Sequence, residues 1–169
     1  MLRACRNFAN DRCPMTVRYN VAQINVAKLR HPLDHAAMAA FVALLDVVNA
    51  EAERAPGFVW RLKDDNGNAT AFRPLGIDHL ISMSVWKSIG SLERFVYKNA
   101  RHADVLRQRA EWFVRSDEPT SCLWWQEVDT VPTVDEGLVR LEQLKMFGPC
   151  LGAFTFQFRV PPPGMGEEH

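Results

Sequence analysis

One stretch of the sequence, residues 102–113, places two ionisable side chains beside a row of apolar ones. His102 and Arg109 fall on one helical face with Val105, Leu106, Trp112 and Phe113. An imidazole can act as a general base near neutral pH, and a guanidinium can stabilise an oxyanion. Because polar groups within an apolar surface need partners or a ligand, this face predicts a binding pocket. The alternative is that His102 caps the helix and Arg109 extends into solvent.

Amide and tryptophan side chains supply further candidates. Asn25 shares one face of a predicted strand with Gln23, where a buried amide can donate to a ligand carbonyl or pair with a neighbouring loop. Five tryptophans are many for 169 residues, and they can line a cavity for a flat, apolar molecule or pack in the core. We therefore predict a catalytic set of His102, Asn25 and Arg109, and a ligand pocket lined by Trp60, Trp86 and Trp112.

The sequence lacks the motifs and charge patterns of several common classes of function. The five histidines are scattered, and no acidic pair stands at metal-ligand spacing from one of them, so we predict no metal site. G-x-G-x-x-G, Walker A and G-x-S-x-G motifs are absent, which argues against nucleotide cofactors and a serine hydrolase. Twenty Lys and Arg balance twenty Asp and Glu, so we expect no nucleic-acid partner. The apolar runs are too short to predict a membrane partner.

Length and composition fit a single globular domain. The four cysteines form no C-x-x-C pair, which predicts reduced thiols and a cytoplasmic protein. Residues 1–14 show no amphipathic period, and Met15 directly precedes strand-like sequence, so Met15 is an alternative start. We predict a disordered leader at 1–14, one domain at 15–158 and a disordered tail at 159–169.

Hydrophobic spacing predicts the elements that would position these side chains. Asp34 and Thr133 stand where helix N-caps belong. The element order is β-α-β-β-α-β with an added C-terminal helix and short strand, the ferredoxin-like split βαβ arrangement of α+β domains. The predicted strands are 19–29, 58–63 with an extension at 69–72, 80–86, 121–128 and 153–158, and the predicted helices are 34–54, 88–98, 102–115 and 133–147.

The predicted sheet has helices on one face only. Its other face carries apolar side chains that need a cover, and a second sheet from a partner subunit is the usual solution in this architecture. A homodimer is therefore expected, with either Trp124 or Trp125 at the contact between the two sheets, because neighbours on a strand point to opposite faces.

Short motifs resemble the dimeric α/β-barrel superfamily of antibiotic-biosynthesis monooxygenases and haem-degrading enzymes. They lie at 55–61 (APGFVWR) and 83–88 (MSVWKS). Four further segments are similar to an uncharacterised family of that superfamily: 22–27 (AQINVA), 109–113 (RAEWF), 123–125 (LWW) and 132–137 (PTVDEG). The resemblance spans about residues 19–156 and implies a dimeric α/β-barrel.

The resemblance also implies functions for named residues. In a cofactor-independent monooxygenase-like reaction the bound substrate, a small, flat, apolar molecule, itself supplies electrons to O₂ after losing a proton. His102 would be the base and Asn25 or Arg109 would stabilise the oxyanion. Haem-degrading relatives use an Asn, a Trp and a haem-ligating His. Asn25 and His102 match the first and third of these positions, whereas Phe95 stands nearest the Trp and the spacing to His102 is shorter than in those enzymes. Because the monooxygenase-like reaction needs no cofactor, none is expected; the alternatives are a non-catalytic ligand-binding protein and a haem-binding protein with His102 as axial ligand.

Overall fold

A four-stranded antiparallel sheet forms the centre of the fold. The computed structural model describes residues 17–164, except the side chains at 100–104 and 106. The strands are β1 (Tyr19–Lys28), β2 (Phe58–Arg61), β3 (His79–Trp86) and β4 (Ser121–Glu127). The sheet order is β2-β3-β1-β4, with neighbouring strands antiparallel throughout, which confirms the predicted ferredoxin-like α+β arrangement.

Helices form most of the connections between these strands. Ser88 and Thr133 each cap the helix that follows them, since each hydroxyl accepts a hydrogen bond from a backbone N–H three residues later at 3.1 Å. The predicted cap at Asp34 is wrong, because a 3₁₀ turn (Ala36–Met38) precedes the first helix and His35 Nδ1 accepts from the Ala37 N–H. The helices are α1 (Ala39–Arg54), α2 (Ile89–Glu93) with a π-helical turn (Arg94–Lys98), α3 (Ala100–Trp112) and α4 (Val134–Phe147).

Two predicted strand segments are absent from the described part of the chain. At 69–72 the chain forms a loop, because the Asp64 carboxylate accepts hydrogen bonds from the backbone N–H groups of Asn66 and Ala71 at 2.8 and 3.2 Å. At 153–158 the pairing is limited to two isolated bridges: Phe154 and Leu123 exchange two backbone hydrogen bonds of 2.8 Å, and Ala153 pairs with Cys150 in a tight turn.

Residues near the C-terminal end of the described chain pack against the domain, beyond its predicted limit. The Val160 carbonyl accepts a hydrogen bond from the Trp125 indole at 2.8 Å, and Arg159 Nη2 lies 2.6 Å from Glu93 Oε1. The packed domain therefore extends past the predicted limit at 158. The predicted leader at 1–14 and the last five residues of the predicted tail lie outside the described residues.

Helices pack on both faces of the sheet. On one face α1 and α2 pack against Val21, Trp86 and Leu123. On the other, Leu141 and Leu144 of α4 pack against a cluster that includes Ile24, Met83 and Trp124. Gly137 allows this close packing, because a Cβ there would lie 3.0 Å from both Ile24 Cδ1 and Met83 Cε.

The predicted uncovered sheet face is therefore wrong, because α4 of the same chain covers it. Trp124 is fully buried in the cluster beneath α4 and is not available to a second sheet. Homodimerisation itself stays a prediction, and light scattering at micromolar concentration tests it: a mass of two chains is expected, and a monomer mass would contradict it.

Candidate functional site

A cavity of about 950 Å³ lies between the sheet and helices α1, α2 and α3. Its floor is polar and comes from the three longest strands. Asn25 on β1 stands opposite Ser82 on β3 and Ser121 on β4, and Gln23 stands opposite Ser84. Because side chains alternate along a strand, these five residues share one face. We call Gln23, Asn25, Ser82, Ser84 and Ser121 the polar floor.

The walls of the cavity are mostly apolar and come from the helices. On α1 the lining residues Phe41, Leu45, Val48 and Ala52 recur at three- and four-residue spacing, which is the face of a helix turned towards a sheet. Val105 lines the cavity from α3, and Phe113 does so just beyond its end. A polar floor beneath apolar walls is typical of small-molecule sites, where a few polar groups fix the orientation of a largely apolar ligand.

Gln23 is the most informative residue of the floor. It is only 6% exposed, and its side chain makes no hydrogen bond with any residue that the structure describes. Every described side-chain nitrogen or oxygen that is closed off from solvent has a hydrogen-bond partner. Because the Gln23 amide has none, it must keep some exposure, and Gln23 lines the cavity. A buried amide without a protein partner costs about 1–3 kcal/mol, unless water or a ligand binds it.

Of the four other amide residues that line the cavity, two are half-buried and lack a partner among the described residues. Asn25 lies beside Gln23 on β1, and Asn49 of α1 lines the opposite wall. Neither side chain makes a hydrogen bond with another residue in the described part of the chain. Sequence reasoning missed Asn49, although its position four residues after Leu45 in an apolar helical stripe is the signal that could have found it.

The three predicted pocket tryptophans separate in the structure. Trp86 lines the cavity, its Nε1–H donates to Ser84 Oγ at 2.9 Å, and its ring stacks on Phe95 with centroids 5.2 Å apart. Trp60 and Trp112 do not line the cavity. Trp60 packs on the α4 face, and Trp112 is buried in a third cluster, 5.5 Å from Phe41 between ring centroids.

The placement of Trp60 follows from a β-bulge. The sequence predicts that Trp60 shares a face with Phe58, two residues earlier, but the register of β2 against β3 shifts between them. Phe58 therefore stands opposite Trp86 on the cavity side, whereas Trp60 stands opposite Val85 of the α4 cluster. One extra residue in a strand moves the following side chains to the other face.

The predicted ionisable site residues lie on α3. Arg109 is exposed and lines the cavity. His102 belongs to α3, but its side chain lies outside the described residues, and the haem hypothesis, which depends on it, stays a prediction. The structure thus brings Asn25 and Arg109 to one cavity together with Trp86.

Arg61 brings a second guanidinium to the cavity, which sequence reasoning missed. Its side chain is 11% exposed, and its Nε and Nη2 donate to Glu53 Oε1 at 2.9 Å and to the Gly67 carbonyl at 2.6 Å. These bonds join α1 to the loop that follows β2, and residues 68–70 of that loop line the cavity. Arg61 therefore fixes one wall while its charge is balanced by Glu53.

Cys122, one of the two cysteines in the described part of the chain, offers no activated nucleophile to the polar floor. Cys122 lies on the α4 face, where burial raises the pKa of its thiol to about 12. The thiol is therefore protonated throughout the physiological range, and a thiol is a far weaker nucleophile than a thiolate.

The sequence from residue 20 to 169 matches the model of the family described as "Domain of unknown function (DUF3291)". The chain belongs to the DUF3291 family. This confirms the prediction of an uncharacterised family. Among the described residues of this DUF3291 protein, no group of three His, Cys, Asp or Glu could hold a metal ion, and no helix is long and apolar enough to cross a membrane.

Comparison with other proteins gives no match among curated sequences. Similar solved structures include NE2512, a protein of unknown function from Nitrosomonas europaea, at 11% identity and a TM-score of 0.43, covering 68% of this chain and 94% of that one. Rv0793 from Mycobacterium tuberculosis is 16% identical with a TM-score of 0.41, over 68% and 98% of the two chains. SnoaB, a cofactor-independent oxygenase from Streptomyces nogalater, is 16% identical with a TM-score of 0.40, over 69% and 97%.

Proposed function

We propose that this protein binds a small, flat, largely apolar molecule in the cavity and hydrogen-bonds it through Gln23 and Asn25. The amide of Gln23 carries the proposal, because it opens onto the cavity and has no hydrogen-bond partner in the described chain, so a ligand can bind it there. The cavity volume of about 950 Å³ lies within the range of small-molecule sites.

The chemistry of the lining narrows the kind of ligand. An amide both donates and accepts, so Gln23 and Asn25 suit carbonyl or hydroxyl groups at the edge of the ligand. The apolar side chains of α1 suit a hydrocarbon or aromatic body. A flat ring system that carries carbonyl oxygens has both properties.

The proposed reaction is a cofactor-independent oxygenation of that ligand. Loss of a proton from an acidic CH₂ group leaves a carbanion whose electrons reduce O₂; the CH₂ becomes a carbonyl, one oxygen atom enters the product and the other leaves as water. We assign the proton transfer to His102, because it precedes the cavity residues Val105 and Arg109 by three and seven positions on α3. Asn25 or Arg109 would stabilise the oxyanion.

A second candidate is binding without turnover. It is favoured by the polar floor, whose amides and hydroxyls do not accept a proton near neutral pH. The two candidates share the cavity and differ only in whether a base acts on the ligand.

A suitable probe is 1,3-indandione, a flat bicyclic molecule whose CH₂ group lies between two carbonyls. Titration calorimetry should show saturable binding that weakens at least tenfold in Gln23→Leu. Gln126→Leu is the matched control, because Gln126 is also a buried amide on the sheet but does not line the cavity. Equal affinity in Gln23→Leu and the unsubstituted protein would contradict the proposed site.

Oxygen uptake separates the two candidates. Enzyme-dependent consumption of O₂ with formation of indane-1,2,3-trione is expected, and His102→Gln should lower the rate at least tenfold with little change in the melting temperature. Saturable binding of the probe with no oxygen uptake would support the binding-only candidate.

A further inference from the structure

We propose that a surface groove outside the cavity binds a phosphate monoester. The groove has a volume of about 380 Å³ and lies between the end of α1 and the π-helical turn after α2. Three cations line it, Arg54, Arg94 and Lys98, together with a single carboxylate, Glu51. We call it the basic groove.

The cations of the basic groove are not neutralised by their neighbours. Neither Arg54 nor Lys98 makes a side-chain hydrogen bond or ion pair with a residue that the structure describes. Arg94 donates from Nη2 to the hydroxyl of the buried Ser91, at 3.3 Å, and this bond holds the guanidinium at the groove without balancing its charge.

The acidic residues next in sequence are bound elsewhere. Glu53, beside Arg54, accepts from Arg61 Nε at 2.9 Å and lies 3.6 Å from Lys63 Nζ. Glu93, beside Arg94, lies 2.6 Å from Arg159 Nη2. The groove therefore keeps an excess of positive charge in a protein whose formal net charge is zero.

The charge of the groove matches one class of ligand. Three cations and one carboxylate leave a formal excess of two positive charges. A phosphate monoester carries about −1.5 to −2 at pH 7 and presents three acceptor oxygens, so it balances this excess in a single group. Guanidinium groups bind phosphate through paired N–H donors, and the groove has two guanidinium groups, those of Arg54 and Arg94.

The remaining lining indicates an ester rather than free phosphate. Ala55, Pro56 and Phe95 give the groove an apolar side next to its cations. An organic group attached to the phosphate can pack against these side chains, which inorganic phosphate cannot do. This assignment does not depend on the function proposed for the cavity.

The test uses phenyl phosphate as the probe, titrated at low ionic strength because exposed charges are screened by salt. We expect saturable binding that weakens at least tenfold in the double variant Arg54→Ala/Arg94→Ala. Arg115→Ala is the matched control: Arg115 is also exposed, makes no ion pair with a described residue and does not line the groove, so its loss should leave affinity unchanged. Gln23→Leu should likewise have no effect.

Two further arms test the charge and the ester. Binding should weaken from pH 7.5 to pH 5, because the monoester loses about one negative charge as it is protonated near pH 6. Inorganic phosphate should bind more weakly than phenyl phosphate. Unchanged affinity in the double variant would overturn the proposal, and so would equal affinity for phenyl sulfate, which carries a single charge. If inorganic phosphate binds as tightly as phenyl phosphate, the assignment of an ester as the ligand is overturned.

Discussion

The indole nitrogen of Trp124 lies 3.0 Å from the side-chain oxygen of Gln126, two residues along β4. Gln126 also donates from Nε2 to Thr130 Oγ1 at 2.7 Å, so both ends of this buried amide are occupied. Gln23 is buried to a similar degree on the neighbouring strand, yet its amide has no partner among the described residues. One glutamine, Gln126, thus stabilises the packing beneath α4, whereas the other, Gln23, faces the cavity.

This contrast predicts opposite effects on stability. Gln126→Leu should lower the free energy of unfolding by about 1–3 kcal/mol, because it leaves the buried Trp124 N–H without an acceptor. Gln23→Leu should leave the free energy of unfolding within about 0.5 kcal/mol of its original value or raise it, since it removes an amide that has no bond to lose. Urea unfolding of both variants measures the difference, and equal losses would contradict the assignment of Gln23 to the cavity.

Gly137 should not tolerate a large side chain. Gly137→Leu should lower the free energy of unfolding by about 1–3 kcal/mol, because its Cβ would already lie 3.0 Å from side chains of the sheet and α4 would have to move. Gly90→Leu is the control: Gly90 is also helical, but its nearest neighbours are 3.9 Å away. Thermal unfolding compares the two, and similar melting temperatures would show that α4 does not pack so closely.

The Cys122 thiol should be inert in the folded protein. A disulfide reagent at pH 8 should label Cys122 only after denaturation, because burial raises the pKa of the thiol from its ordinary value of 9.0 to about 12. Labelling followed by peptide mass spectrometry gives the result for each cysteine. Rapid labelling of Cys122 in the native protein would contradict its burial beneath α4.

The same shift in pKa predicts how stability changes at alkaline pH. A thiol that ionises near pH 9 when unfolded and near 12 when folded favours the unfolded state as the pH rises through this window. The free energy of unfolding should therefore fall between about pH 9 and pH 12, and the fall should be shallower in Cys122→Ala. The same dependence of the free energy of unfolding on pH in both proteins would contradict the raised pKa of Cys122.

Trp112 should contribute to stability and not to binding. Trp112→Ala should lower the free energy of unfolding by about 3–5 kcal/mol, because the side chain is 1% exposed and packs against Phe41. The affinity of Trp112→Ala for 1,3-indandione, measured below the melting temperature of the variant, should differ less from that of the unsubstituted protein than the affinity of Gln23→Leu does. The reverse order would place Trp112 in the ligand site after all.

The sequence predicted the order of the elements because hydrophobic alternation and helical spacing are local signals. It predicted that Asn25 and Gln23 share a face for the same reason, as both lie on a regular strand. Alternation along β2 predicts the wrong face for Trp60, because one extra residue shifts the register and neither Val59 nor its neighbours mark that bulge.

Two other features depend on contacts between distant parts of the chain. The spacing of Leu141 and Leu144 predicts a helix with an apolar face but not the sheet face on which it packs. Likewise, alternation cannot tell a paired amide such as Gln126 from an unpaired one such as Gln23, because the difference lies in what the fold brings next to each.

The packing of α4 has a consequence for the folding of the chain. All four strands that the structure describes precede α4, so the sheet can form while Ile24, Met83 and Trp124 still lack their cover. Such an intermediate has one exposed apolar surface, which chaperones bind and to which other folding chains can attach. Substitutions in α4 that weaken its packing on the sheet should therefore lower the yield of soluble protein.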